Sequence, residues 1–155
     1  MTESIFMTRA IELSAQNLAH GGGPFGAVVV RDGKIIGEGA NRVVPANDPT
    51  AHAEIVAIRA ACRTVASHAL EGATIYTTCE PCPMCLSAIW WARIAEIVYG
   101  NSREDAALIG FDDAEIYQEV ARPFEERRLP VRRFMADEAM ESFRAWLAKT
   151  DKVPY

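Results

Sequence analysis

Two short stretches hold the residue types from which a metal-assisted hydrolytic site can be built: His52-Ala53-Glu54, and the later Thr78-Cys79-Glu80-Pro81-Cys82-Pro83-Met84-Cys85. One histidine nitrogen and two cysteine sulfurs, Cys82 and Cys85, form a donor set suited to zinc. Three protein ligands leave a tetrahedral ion one position for water, which is the arrangement of a catalytic rather than a closed structural site. Zinc held there would lower the pKa of water from ~15.7 toward ~7. Glu54 is then the carboxylate placed to move protons beside it. Each residue alone is ordinary. A histidine at a helix start usually caps or packs, a helical glutamate is usually solvated, and Cys-x-x-Cys also serves as a redox pair or half of a structural site. Cys79 forms an overlapping pair with Cys82 and stays a rival ligand, although a position at the end of a strand would turn its sulfur away.

The elements around these stretches supply the positioning. Thr2 to His20 reads as an amphipathic helix with Phe6, Ala10, Leu13 and Asn17 on one stripe and Ile5 and Leu18 beside it; Asn17 breaks the apolar pattern. Gly21-Gly22-Gly23-Pro24 stops that helix. Gly26 to Arg31 and Lys34 to Gly39 read as strands joined at an Asp32-Gly33 hairpin turn. A polar loop, Asn41 to Pro49, leads to Thr50 as the expected N-cap of a helix running to about Ser67, with His52 and Glu54 in its first turn. Ala73 to Thr78 is a buried-type strand, Pro83 opens the next helix in the turn where proline is tolerated, and Ile94 to Tyr99 is a further strand. Both ligand segments therefore fall at helix starts, where the positive end of the helix favours thiolates. Strands alternating with helices after a hairpin predict a three-layer α/β/α sandwich around a mixed sheet.

Composition narrows the class. The chain has 155 residues, half of them hydrophobic and 24% charged, which suits one globular domain spanning residues 1–155. Lys plus Arg number 16 and Asp plus Glu 21, a net charge of 16 − 21 = −5, which favours a small substrate over nucleic acid. No apolar run reaches the ~18 residues of a membrane span, and the first twenty residues lack a basic start followed by an apolar block. A cytoplasmic protein with no membrane partner is expected. Three of the four cysteines cluster, which in the cytosol reads as metal or redox chemistry rather than disulfides; Cys62, His20 and His68 have no partner at ligand spacing.

In order, the histidine, the glutamate and the Pro-Cys-x-x-Cys match the signature of zinc-dependent nucleobase deaminases. That signature implies hydrolytic deamination of an amino-substituted aromatic ring, with Glu54 passing a proton from the attacking water to a ring nitrogen and later to the departing amine. Beyond it, Gly22-Gly23-Pro24-Phe25-Gly26-Ala27-Val28, Asn47-Asp48-Pro49-Thr50-Ala51-His52-Ala53-Glu54, Trp91-Ala92-Arg93, Gly110-Phe111-Asp112-Asp113 with Ile116-Tyr117, and Phe143-Arg144-Ala145-Trp146 leading to Tyr155 make the chain resemble the bacterial guanine deaminases over nearly its full length. The Gly-Phe-Asp-Asp segment and the aromatic C-terminus distinguish these from the tRNA-editing relatives.

The resemblance implies a cytidine deaminase-like fold with a five-stranded mixed sheet and conversion of guanine to xanthine and ammonia. It implies zinc on His52, Cys82 and Cys85, and proton transfer by Glu54. Asn41 and the backbone near Ala53 would hydrogen-bond the purine, Phe25 and Trp91 would pack on its ring, Asp113 would read its nitrogen edge, and Tyr155 would close the pocket. It further implies a homodimer with a swapped C-terminal segment, in which Asp113 and Tyr155 act on the partner's site; Glu141 lies in that segment with its role open. Without the resemblance, Phe25 and Trp91 are ordinary core aromatics, Asn41 is a turn residue, and Asp112 and Asp113 simply start a helix at Ala114. Guanosine, another aminopurine or an aminotriazine such as ammeline stay open as substrates, with tRNA adenosine editing and a non-catalytic zinc module behind them.

Overall fold

The computed structural model describes residues 2–155. The chain forms two compact units, Met1–Asp113 and Ala114–Tyr155. In the first, α1 (Thr2–Leu18) precedes the hairpin of β1 (Gly26–Arg31) and β2 (Lys34–Ala40). Its Asp32-Gly33 turn has positive φ at both residues, as a tight hairpin turn with right-handed twist requires. A single helical turn, α2 (Val43–Ala46), stands where a plain loop was expected. Then follow α3 (Ala53–Val65), β3 (Thr74–Cys79), α4 (Pro83–Trp91), β4 (Glu96–Asn101) and α5 (Arg103–Leu108).

The sheet is mixed, as expected, with order β2-β1-β3-β4; β1 runs antiparallel to both neighbours and β3 parallel to β4. It has four strands and not five. Val131 to Phe134, in the second unit, joins no ladder. Pro130 before it has no N–H to donate, and Arg132 and Arg133 within it favour solvent.

Alternation along the strands divides the core. Val28, Val30 and Tyr76 pack with Phe6 of α1 on one face, the Phe6 and Tyr76 rings 5.4 Å apart. Ala27, Val29 and Ile75 pack on the other with Ala57, Ile58 and Ala61 of α3 and Ile89 of α4. Helices on both faces make the three layers. Arg9 of α1 donates twice to the Glu38 carboxylate of β2, at 2.8 and 2.9 Å, tying the first helix to the sheet edge. Of the expected α1 stripe, Phe6, Ala10 and Asn17 are buried, whereas Ile5 and Leu18 face solvent.

α3 lies close against β2 because Gly37 and Gly39 present no side chain to it. A Cβ on Gly39 would stand 2.3 Å from the Ala53 carbonyl oxygen, and one on Gly37 would stand 2.4 Å from that of Ala57. This approach fixes where α3 begins.

The second unit contains α6 (Ala114–Ala121), a short 3-10 turn (Phe124–Glu126) and α7 (Ala136–Ala148). None of the three has a buried residue, and Phe134, Phe143 and Leu147 are each about two-thirds or more exposed, at 72%, 67% and 72%. No helix among the described residues is long and apolar enough to cross a membrane.

Because the obstructing atom at Gly39 is backbone, Gly39→Ala is expected to destabilise the protein by at least about 2 kcal/mol. Guanidinium unfolding of the two proteins measures this. An unchanged midpoint would mean that the α3–β2 approach has slack.

Candidate active site

α3 and α4 both begin at the same place. His52 occupies the N-cap of α3 and Cys82 that of α4, each in extended backbone and neither using its side chain as a cap. Thr50 does not cap α3 as expected: its hydroxyl and its N–H both donate to Asp48 Oδ1, at 2.7 and 2.8 Å, closing a turn ahead of the helix. Pro83 holds the first position of α4, as expected, and Cys85 follows two residues on in the same turn.

His52, Cys82 and Cys85 offer ligand atoms that all lie within 4.8 Å of one another. His52 Nδ1 is 3.6 Å from Cys82 Sγ and 3.5 Å from Cys85 Sγ. Zn–N of 2.0–2.1 Å and Zn–S of 2.3 Å at a tetrahedral angle require an N···S separation of about 3.6 Å. The spacing already suits a zinc-sized ion with one nitrogen and two sulfurs. Glu54, in the first turn of α3 and only 6% exposed, accepts a hydrogen bond from the Cys85 thiol at 3.5 Å.

The electrostatics follow from this crowding. A hydrogen bond from Cys85, then one from His52, brings the Cys82 thiol down to about 4. Sharing that proton and being buried push Cys85 up. The Cys82 thiolate in turn raises His52. Burial raises Glu54, which favours a carboxyl that can hold a proton between two transfers. Cys79 is buried at the end of β3, but its sulfur sits 3.8 Å from the Ser102 carbonyl, and burial pushes its thiol up to about 11. It stands outside the three-residue group.

The other expected residues are placed as follows. Ala53 is the first residue of α3, where backbone N–H groups have no partner within the helix. Asn41 is buried just after β2, its Oδ1 accepting from the Val43 N–H at 3.2 Å. Phe25 is half-buried, and Phe111 meets it edge-on with ring centroids 4.9 Å apart. Phe111 was given no role from sequence; an aromatic beside two aspartates was its signal. Asp113 closes the first unit and feels the Cys82 charge of its own chain, which, after burial, raises its carboxyl. Trp91 ends α4, six residues past Cys85 or about 9 Å further along the axis, and is 62% exposed. Tyr155 belongs to the second unit.

Residues 1–101 match the family described as the cytidine and deoxycytidylate deaminase zinc-binding region. The chain belongs to this family. Within it, the chain is 47% identical to guanine deaminase of Bacillus subtilis (strain 168) over 156 residues, covering all of both chains. It is 43% identical to the tRNA-specific adenosine deaminase of Haemophilus influenzae over 113 residues, covering 69% of this chain and 65% of that one. The X-ray structure of the Bacillus subtilis guanine deaminase superposes with a TM-score of 0.96 over 100% of this chain and 99% of that chain. A solved structure in complex with 2,6-diaminopurine, 36% identical, superposes with a TM-score of 0.68 over 70% of this chain and 61% of that one.

Metal content separates the ligands from their neighbour. Cys79→Ala is expected to keep its zinc, and His52→Ala, Cys82→Ala and Cys85→Ala to lose it. Elemental analysis of the purified variants checks this; loss from Cys79→Ala would make that sulfur a ligand.

Proposed function

We propose that the protein is a zinc-dependent guanine deaminase, releasing xanthine and ammonia. The observation that carries the reading is the meeting of His52, Cys82 and Cys85 at tetrahedral spacing with buried Glu54 beside them. Identity of 47% to a guanine deaminase over the whole chain supports guanine as the substrate, while likeness to the Haemophilus tRNA deaminase stops at 69% of it. The analogue-bound neighbour further supports a small purine ligand.

When bound, zinc supplies Lewis-acid activation of water at neutral pH. Glu54 takes a proton from that water as its oxygen adds to the ring carbon bearing the amine, and passes it to the adjacent ring nitrogen. As the carbon–nitrogen bond breaks, the same carboxylate takes the remaining proton from the added oxygen, which becomes the product carbonyl, and delivers it to the departing amine, which leaves as ammonia. Burial of Glu54 keeps that proton from bulk water between the two transfers.

Phe25, braced by Phe111, packs on the purine, and Trp91 adds a second aromatic. Because Asn41 Oδ1 is committed to Val43, its amide Nδ2 is the group offered to a purine acceptor. Ala53 contributes a backbone N–H, and Asp113 accepts from the nitrogen edge. Asp113 serves the site of its own chain in this reading, consistent with the influence of Cys82 on it. Tyr155 closes the site of a second copy: the exposed apolar residues of the Ala114–Tyr155 unit support a homodimer in which that segment is exchanged. Four free cysteines fit a reducing, cytoplasmic setting.

Glu54→Gln is expected to keep its zinc and lose about 10²- to 10⁴-fold in kcat. Ammonia release from guanine, guanosine, adenine, cytosine and ammeline measures it in the parent and the variant. Full activity in Glu54→Gln would overturn the proton-transfer role, and preference for another panel member would move the substrate.

For the exchange, Glu54→Ala chains mixed with chains lacking residues 151–155 are expected to regain activity that neither has alone. No recovery after confirmed subunit exchange would place Tyr155 in its own chain's site.

A further inference from the structure

Asn17 is a polar residue at the end of the buried stripe of α1, only 4% exposed. Its amide Nδ2 donates twice, to the Gly23 carbonyl at 2.9 Å and to the Asn41 carbonyl at 2.7 Å. Those carbonyls belong to separate segments, one leading into β1 through Phe25 and the other leaving β2. A third bond, from the Asn41 N–H to the Phe25 carbonyl at 3.1 Å, joins the same two segments directly. The Gly22 N–H donates back to the Asn17 carbonyl at 3.1 Å. Gly22 has to lack a side chain here, since a Cβ would stand 2.1 Å from Asn17 Nδ2 and 2.4 Å from the Asn41 carbonyl oxygen.

A buried amide with both N–H groups on backbone carbonyls is a crosslink with a fixed geometry. We propose that Asn17 is a positioning residue for purine recognition, clamping the segment that carries Phe25 to the one that carries Asn41. It thereby sets the distance between the aromatic face and the amide at the purine's rim. This rests on the guanine deaminase reading of the site. The metal ligands and Glu54 hang instead from the starts of α3 and α4, to which the Asn17 side chain makes no bond; the Asn41 segment has its own link to the approach to α3, the Arg42 N–H donating to the Ala51 carbonyl at 2.8 Å. Loosening it weakens binding of the base and leaves the chemistry in place.

Asn17→Asp tests this with little change in volume, because it replaces both N–H donors by an oxygen facing two carbonyls. In steady-state kinetics with guanine, at full zinc content and well below the melting temperature, KM is expected to rise about tenfold or more while kcat stays within about threefold. That split marks lost binding shared by ground and transition states. Hydrogen exchange at the Asn41 amide is expected to quicken, with the amides of α3 and α4 unchanged. A lower melting temperature with unchanged KM, or a fall confined to kcat, would overturn the proposal and leave Asn17 a merely structural residue. Gly22→Ala, which pushes on the same amide from the other side, carries the comparison if Asn17→Asp does not fold. A parent inactive on guanine but active on another panel member puts the fault in the assigned substrate, and the KM split on that member still decides the role of Asn17.

Discussion

Two helices that start at one point are what the rest of this molecule is arranged to hold. α3 and α4 each place a ligand-type side chain at the N-cap, a position where serine or aspartate would ordinarily bond the free N–H groups. Forgoing such a cap costs about 1 kcal/mol per helix. In return, the side chains of His52 and Cys82 are free to face each other, and the positive helix ends favour the Cys82 thiolate between them.

Bringing two helix starts together is a packing problem before it is a chemical one. α3 reaches its place because Gly37 and Gly39 let its backbone lie against β2, and because Ala53, Ala57 and Ala61 turn only methyl groups inward. α4 reaches its place because β3 ends just before it. The end of β3 is stitched to β4 by Asn101 Nδ2 donating to the Thr78 carbonyl at 3.0 Å and by the Glu80 N–H donating to the Asn101 carbonyl at 2.8 Å. The Thr78 hydroxyl accepts from the Gly26 N–H at 3.1 Å and so holds the start of β1, with Phe25 next to it, to the same strand end. The strand end that leads to Cys82 and the start of β1 beside Phe25 are thus held together.

The grouping of His52, Cys82 and Cys85 with Glu54 beside them, the hairpin and the three layers were legible because each rests on a local signal: ligand spacing, Asp-Gly chemistry, alternation of apolar residues. Where the reading departed from the structure, the deciding contact was one that residue type alone does not announce. Thr50 is a good N-cap by type, but Asp48 captures both its hydroxyl and its N–H, and the helix begins later, at Ala53 with His52 as its N-cap. A five-stranded sheet came with the resemblance, yet the sheet among the described residues has four strands. Asn17 looked like a flaw in an apolar stripe because its partners, the Gly23 and Asn41 carbonyls, are visible only once the two segments meet over it. A buried polar residue on an otherwise apolar helix face was the signal, but its meaning was tertiary.

The polar commitments around the site also limit what it can bind. A carboxamide is ambiguous in sequence, since it can donate or accept. In the fold, the Val43 N–H fixes which end of Asn41 is the oxygen, and the other end, Nδ2, can only donate. Asp113, in its ionised form, can only accept. In the proposed reading, a purine that satisfies both must present an acceptor to one and a donor to the other, and an analogue that exchanges an acceptor for an amine opposite Asn41 leaves that buried amide unpaired. Such a mismatch costs about 1–3 kcal/mol per group, enough to rank purines that share the same flat shape. Aromatic packing on Phe25 distinguishes them far less, because every purine has a comparable face. In the proposed reading, selectivity therefore resides at the rim, and rigidity of the rim matters more than its inventory of residues.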